Sequence, residues 1–233
     1  MHPYSNRHVV VTGGTGALGT AVVEALLRAG AACHVPVRSE AAVSKSTFDR
    51  KRVSFVTIGD LADESGVTRF YGSLPELWAS IHVAGGYGSA PIEKTDKAVL
   101  ESQLDTNLVS AFVCSRAAVA KMRKTGGGGR IVNVASRQAL EPRLGAGSVA
   151  YTVSKAAVAA LTAALGQEVA KDGILVNAVA PSILDTAANR TAMPGSDFAA
   201  WPKVEDVADT ILFLASPANT VTRGAVVPVY GKS

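Results

Sequence analysis

Thr12-Gly13-Gly14-Thr15-Gly16-Ala17-Leu18-Gly19 follows a short β-branched run, Val9-Val10-Val11, and opens a stretch with helical spacing. Gly13, Gly16 and Gly19 recur every third residue. A tight strand-to-helix turn needs positive φ, which glycine tolerates. A bound diphosphate needs close backbone approach and free N–H groups at a helix N-terminus. Gly19 would let that helix pack closely on the sheet. In this strand–turn–helix setting the run reads as a dinucleotide site made by Thr12, Gly13, Thr15, Gly16, Ala17, Leu18 and Gly19; without a ligand it is a flexible turn.

Outward from that turn, strand and helix alternate to the end of the chain. Residues 17–29 carry Val22, Ala25, Leu26 and Ala29 at helical spacing, and Gly30 ends them. Strands are expected at 33–37, 53–58, 78–84, 131–135, 174–179 and 225–229. Helices are expected at 95–124, at 151–171 and at 205–215, the first running into the four glycines 126–129. This pattern implies an α/β, Rossmann-like, doubly wound parallel sheet of about seven strands with helices on both faces. One dinucleotide-binding and catalytic domain over 1–233 is expected. The long irregular stretch 182–203 reads as a substrate lid.

The 233 residues are 48% hydrophobic and 18% charged, enough to bury a core. Aromatics are only 6%, so that core is aliphatic, as in sheets covered on both faces. The net charge is +4 and the pI about 9.1, with basic clusters at Arg50-Lys51-Arg52 and between Lys121 and Lys124. No aromatics interleave with them, so nucleic acid is not expected, and solvated helix ends and loops are. Cys33 and Cys114 sit in apolar runs and read as reduced and buried. The first six residues are polar, and no apolar run is read as spanning a bilayer. A cytoplasmic protein acting on a small molecule, with no membrane partner, is expected.

The second strand ends at Val37-Arg38 where an NAD site usually has an acidic residue. Arg38 can pair with a 2′-phosphate, which favours NADP over NAD, or it can stack on adenine or remain a surface charge. Asp60 can accept from the adenine amino group or cap its own turn, with Leu61 beside it.

Tyr151 and Lys155, four apart, share a helical face. Free tyrosine titrates near ~10, too high for efficient proton transfer at neutrality, and a nearby cation lowers that value. Tyr151 would then exchange a proton with a carbonyl or alcohol oxygen as hydride moves, and Lys155 would also hold the ribose hydroxyls. Ser136, just past the fifth strand, can hydrogen-bond the same oxygen; otherwise it is satisfied by its own turn, and Ser148 is a weaker rival. Asn107 falls in the long helix, where its bland role is a satisfied amide. His82 either titrates near neutrality or is a hydrogen-bonded strand residue. Arg137, Gln138, Arg143 and Arg190 can meet an anionic substrate or stay solvated. Ile183, Leu184, Met193, Phe198 and Trp201 can line an apolar pocket or pack on the protein.

Taken in order, the glycine turn, Asp60, Ala84-Gly85, Asn107, Ser136, Tyr151, Lys155 and Pro181 resemble the short-chain dehydrogenase/reductase family over nearly the whole chain. The resemblance implies NAD(H) or NADP(H), hydride transfer between nicotinamide and a carbonyl or alcohol, and a homo-oligomer, dimer or tetramer. It implies a water-mediated proton relay from Asn107 to Lys155, cofactor contacts from Ala84, Gly85 and Pro181, and Thr186 near the carboxamide or diphosphate. Departures are Ala17 in place of a glycine, His82 in place of the first asparagine of Asn-Asn-Ala-Gly, Ser182 after Pro181, and about two extra residues between Ser136 and Tyr151. Val83-Ala84-Gly85-Gly86-Tyr87-Gly88 and Leu184-Asp185-Thr186-Ala187-Ala188-Asn189-Arg190 locally resemble dihydropteridine reductases, which implies pterin reduction as an alternative. A dinucleotide-binding sensor without chemistry is a second.

Overall fold

A computed structural model describes residues 2–44, Phe48 and 52–233. Seven parallel strands, β1 (His8–Thr12), β2 (Ala32–Val37), β3 (Val53–Thr57), β4 (Ala79–His82), β5 (Gly129–Val134), β6 (Ile174–Pro181) and β7 (Val226–Val229), form one sheet in the order β3-β2-β1-β4-β5-β6-β7. The order reverses between β1 and β4, so a crevice opens beyond their carboxyl ends. The helices are α1 (Ala17–Arg28), α2 (Glu40–Ser44), α3 (Glu64–Ser73), α4 (Lys97–Leu104), α5 (Ser110–Thr125), α6 (Arg137–Leu140), α7 (Val149–Glu168), α8 (Ala187–Ala192) and α9 (Val204–Ala215). On one face Val22 and Leu26 of α1 pack with Val207 and Ile211 of α9; on the other Val67 and Phe70 of α3 pack with Val113 and Met122 of α5. Apolar area leaving water on both faces is what makes the strands continuous aliphatic runs.

The expected 95–124 helix starts later, because Asp96 caps α4 by accepting from the Val99 N–H at 2.9 Å. It is also interrupted by a π-helical segment, Asp105–Val109, before α5 ends on Gly126 at φ +74°. β4 stops at His82, so Val83 and Ala84 belong to the following turn. β7 carries Pro228, which an edge strand tolerates. Helices α2, α3, α6 and α8 were not expected from the sequence. Segment 182–203 is not irregular: α8 and a 3-10 turn, Phe198–Ala200, occupy it, and the Asp185 N–H donates to Pro202 O at 2.9 Å. Among the described residues α7 alone is long and apolar enough to cross a membrane, contrary to expectation, but its buried residues pack on the sheet. Both cysteines are free and buried. Of the basic clusters, Arg50 and Lys51 lie outside the described residues. Lys121 donates to Leu74 O and Arg123 pairs with Asp172.

His82 is structural. Asn133 Oδ1 lies 2.8 Å from its Nδ1, and since Asn133 Nδ2 donates to Thr162 Oγ1, that contact puts the ring proton on Nδ1. Nε2 then accepts from Ser80 Oγ at 2.8 Å, and Ser80 meets the Tyr71 hydroxyl at 2.7 Å. Burial pushes His82 down to about 4, and burial together with His8 does the same to His34. The unfolded chain protonates these rings below about 6.5 while the folded chain keeps them neutral. Stability is therefore full above about 6.5 and falls with pH down to about 4. His82 accounts for about 2 kcal/mol of loss between pH 7 and pH 5. Urea melts should show that loss in the wild type and a flatter dependence in His82→Asn; identical slopes would refute the assignment.

Candidate active site

The carboxyl ends of β1, β4, β5 and β6 enclose a cleft of about 380 Å³, lined by Gly13, Gly16, Ala17, Leu18 and Gly19 at one end and by Ser136, Tyr151 and Lys155 at the other. A second groove of about 240 Å³, lined by Thr15, Arg38, Asp60 and Leu61, shares Gly13, Ala84 and Gly85 with the first. The two make one path from Arg38 to Tyr151.

The turn is built for close approach. Gly13 has φ +66°, and a Cβ there would stand 2.7 Å from the Ala84 nitrogen. A Cβ on Gly19 would stand 2.0 Å from Gly13 O. Thr12 Oγ1 accepts from the Ala84 N–H at 3.2 Å, tying β1 to the segment after β4. Gly16 caps α1 without a side-chain acceptor, and no acidic residue stands in its first turn. That leaves the positive end of the helix open to an anion. These residues fit a dinucleotide diphosphate. Asp60 Oδ1 accepts from the Ala62 N–H at 2.9 Å, so it does cap its own turn while lining the outer groove, and Arg38 is exposed there.

Tyr151 and Lys155 line the same cleft from one face of α7. Lys155 is buried and donates from Nζ to Val134 O at 2.8 Å, and desolvation pushes it down to about 8. Tyr151 departs from expectation. Burial raises its phenol above the usual value; Ser136 acts to lower it and Tyr87 to raise it. The expected depression by Lys155 is not found: burial dominates, and Ser136 alone acts to lower the phenol.

Ser136 Oγ is buried and makes no hydrogen bond of good geometry, although the hydroxyl is near enough to pull the Tyr151 phenol downward. It caps α6 without using its side chain. Ser148, the rival, is satisfied by Gly145 O at 3.3 Å and by Gln138 Nε2 at 3.4 Å, and it does not line the cleft.

Asn107 sits in the π-helical segment, where the widened turn re-aims its side chain. Its Oδ1 accepts from the Gly86 N–H at 2.9 Å, and Nδ2 donates to Gly86 O at 3.0 Å and to Ser154 Oγ at 3.1 Å. It thus fastens the segment after β4 to the helix that carries Tyr151 and Lys155. A Cβ on Gly85 would meet Asn107 Oδ1 at 2.7 Å and Lys155 Nζ at 3.2 Å, so the three converge.

Pro181 lines the cleft, as do Ser182 and Leu184. Thr186 does not; it caps α8 by accepting from the Asn189 N–H at 3.2 Å. Phe198 packs on the buried Trp201, with ring centroids 5.0 Å apart, rather than lining the cleft. Two of the arginines set aside for an anionic substrate are occupied: Arg137 by Glu141 at 3.0 and 3.2 Å, and Arg190 by Asp185 at 2.6 and 2.8 Å. Sequence reasoning gave no role to Gly86, Tyr87, Val83 or Val134, all of which line the cleft. Of the pterin-reductase-like stretches, 83–87 line it and the second contributes only Leu184.

Residues 7–196 match the model of the short chain dehydrogenase family. The chain belongs to that family. This short-chain dehydrogenase/reductase is 35% identical to the galactitol 2-dehydrogenase of Rhizobium johnstonii, over 96% of this chain and 93% of that one. It is 31% identical to the cis-4-hydroxycyclohexanecarboxylate dehydrogenase of Sinomonas cyclohexanicum, over 98% and 96%. The solved structure of ElxO with NADP bound superposes with a TM-score of 0.86 at 25% identity, covering 97% of each chain. The chain is accordingly a nicotinamide-dependent oxidoreductase that transfers hydride between the cofactor and a carbonyl or alcohol.

Proposed function

We propose that this short-chain dehydrogenase/reductase interconverts a ketone or aldehyde and its alcohol, with Tyr151 as the proton donor and acceptor, Ser136 as the hydrogen-bond donor to the reacting oxygen, and Lys155 and Asn107 as supporting residues. The observation that carries this reading is the buried Ser136 hydroxyl, without a hydrogen bond of good geometry, beside the Tyr151 phenol, at the end of a groove that begins at Arg38. When bound, the nicotinamide supplies or takes the hydride. Gly13, Gly16 and Gly19, with the open end of α1, hold the diphosphate. Ala84, Gly85 and Pro181 wall the inner half. Ser136 Oγ donates to the substrate oxygen and stabilises the charge that grows on it. Tyr151 gives its phenolic proton to that oxygen during reduction and recovers one during oxidation. Lys155 lowers the cost of the phenolate once both lie in a closed, dry site, and Asn107 keeps the 85–87 turn against α7. Segment 182–203 covers the substrate end through Ser182 and Leu184.

The cofactor is NADP in preference to NAD. Arg38 lines the outer groove, no acidic residue ends β2, and a structural relative holds NADP. Arg38→Ala should weaken NADPH about tenfold or more and NADH little, since a guanidinium–phosphate pair is lost; equal losses measured by fluorescence titration would reverse the preference. A homo-oligomer is part of the same reading, supported by Phe112 on α5 and Val153 on α7, apolar side chains about half exposed. Light scattering that returned a monomer mass would contradict it.

A further inference from the structure

We propose that Tyr87 is a specificity-determining residue that selects substrates whose reacting carbon lies in, or next to, an uncharged ring. The proposal rests on the hydride-transfer reading above and names its substrate class.

Tyr87 lies edge-to-face against Tyr151, with centroids 4.9 Å apart and the planes at 74°. It lines the same cleft as Ser136 and Lys155, yet 66% of its surface stays exposed. An aromatic ring left largely in water beside Tyr151 does no work for the core, and its exposed surface is open to another ring. The backbone beneath it is fixed. Asn107 holds both polar groups of Gly86, a Cβ on Gly88 would meet Gln103 at 2.9 Å, and Ser89 Oγ donates to Gly147 O at 3.1 Å. The ring is therefore presented from a rigid support and loses little freedom on binding.

Charge and polarity point the same way. Arg137 and Arg190 are paired with Glu141 and Asp185, and the one cation among the described lining residues, Lys155, is buried and donates to Val134 O, so a substrate carboxylate meets no further cation in the cleft. Ser182 donates to Tyr230 O and accepts from Ser233, so an open-chain polyol would leave several hydroxyls poorly paired. A ring with one oxygen at the Ser136–Tyr151 end satisfies the cleft.

The test measures kcat/KM of the full chain with NADPH for cyclohexanone, the open-chain ketose xylulose and the anionic 2-oxobutyrate. Cyclohexanone should exceed the others about tenfold or more, as expected of one well-made apolar contact. Tyr87→Phe should keep that ranking. Tyr87→Ala should erase it, mainly through KM for cyclohexanone, in protein whose melting curve shows it folded. Similar values for all three ketones, or an unchanged ranking in Tyr87→Ala, would overturn the proposal alone. If no carbonyl of any class led to NADPH consumption, the hydride-transfer reading would be overturned and this proposal with it.

Discussion

Tyr151→Phe is expected to lower kcat by about 10³-fold while leaving the NADPH dissociation constant within about twofold. The substitution removes one oxygen and keeps the ring, so the edge-to-face contact with Tyr87 at 4.9 Å survives. It also keeps α7 in place, because the bonds that anchor this region, Lys155 to Val134 O and Asn107 to Ser154, do not involve the phenol. What disappears is the proton that must reach the substrate oxygen as hydride arrives. Water cannot replace it efficiently at the end of a cleft where Lys155 is 5% exposed and Ser136 is 6% exposed. A loss of rate with unchanged KM and cofactor affinity separates this role from a packing defect. Retention of normal turnover would remove Tyr151 from the chemistry.

Gly19→Ala should abolish measurable dinucleotide binding and destabilise the fold by about 1–3 kcal/mol. The added methyl carbon would stand 2.0 Å from Gly13 O, and 2.7 Å from Gly13 C and from Gly14 Cα. All three are backbone atoms, so no flexible side-chain end can yield, and α1 must move away from the turn. That movement displaces the N–H groups meant for the diphosphate. At this chain length the melting temperature should drop by roughly 2–12 °C. Gly16→Ala is the contrast, since its methyl would meet only Gly13 O, at 3.4 Å. Equal NADPH affinity in wild type and Gly19→Ala, by fluorescence titration, would show that the turn does not carry the diphosphate.

The sheet and the glycine turn were legible because their signals are local: β-branched runs ending at glycines, and helical spacing in the residues that follow. The Tyr151–Lys155 pair was legible because four residues on a helix share a face. Helix α3 escaped despite a clear cap at Asp63, because its stripe, Val67, Phe70 and Tyr71, spans little more than one turn of a ten-residue helix. The π-helical segment at Asn107 escaped because a widened turn has no sequence signature of its own. Only the structure shows that this amide closes on Gly86 and Ser154. The choice between Ser136 and Ser148 rested on which hydroxyl is already satisfied, a matter of three-dimensional neighbours. The raised Tyr151 phenol follows from burial, which spacing does not report. Tyr87 entered only as part of the stretch 83–88 that resembles dihydropteridine reductases; its contact with Tyr151 is a matter of three-dimensional neighbours.

The most direct test is isotopic. NADPH deuterated at the transferring position of its nicotinamide C4 is incubated with the protein and a ketone that it reduces, and the alcohol is analysed by mass spectrometry. One deuterium on the carbinol carbon is the expected result, with the hydroxyl proton drawn from solvent through Tyr151. An alcohol formed without deuterium at that carbon would contradict direct hydride transfer in this cleft.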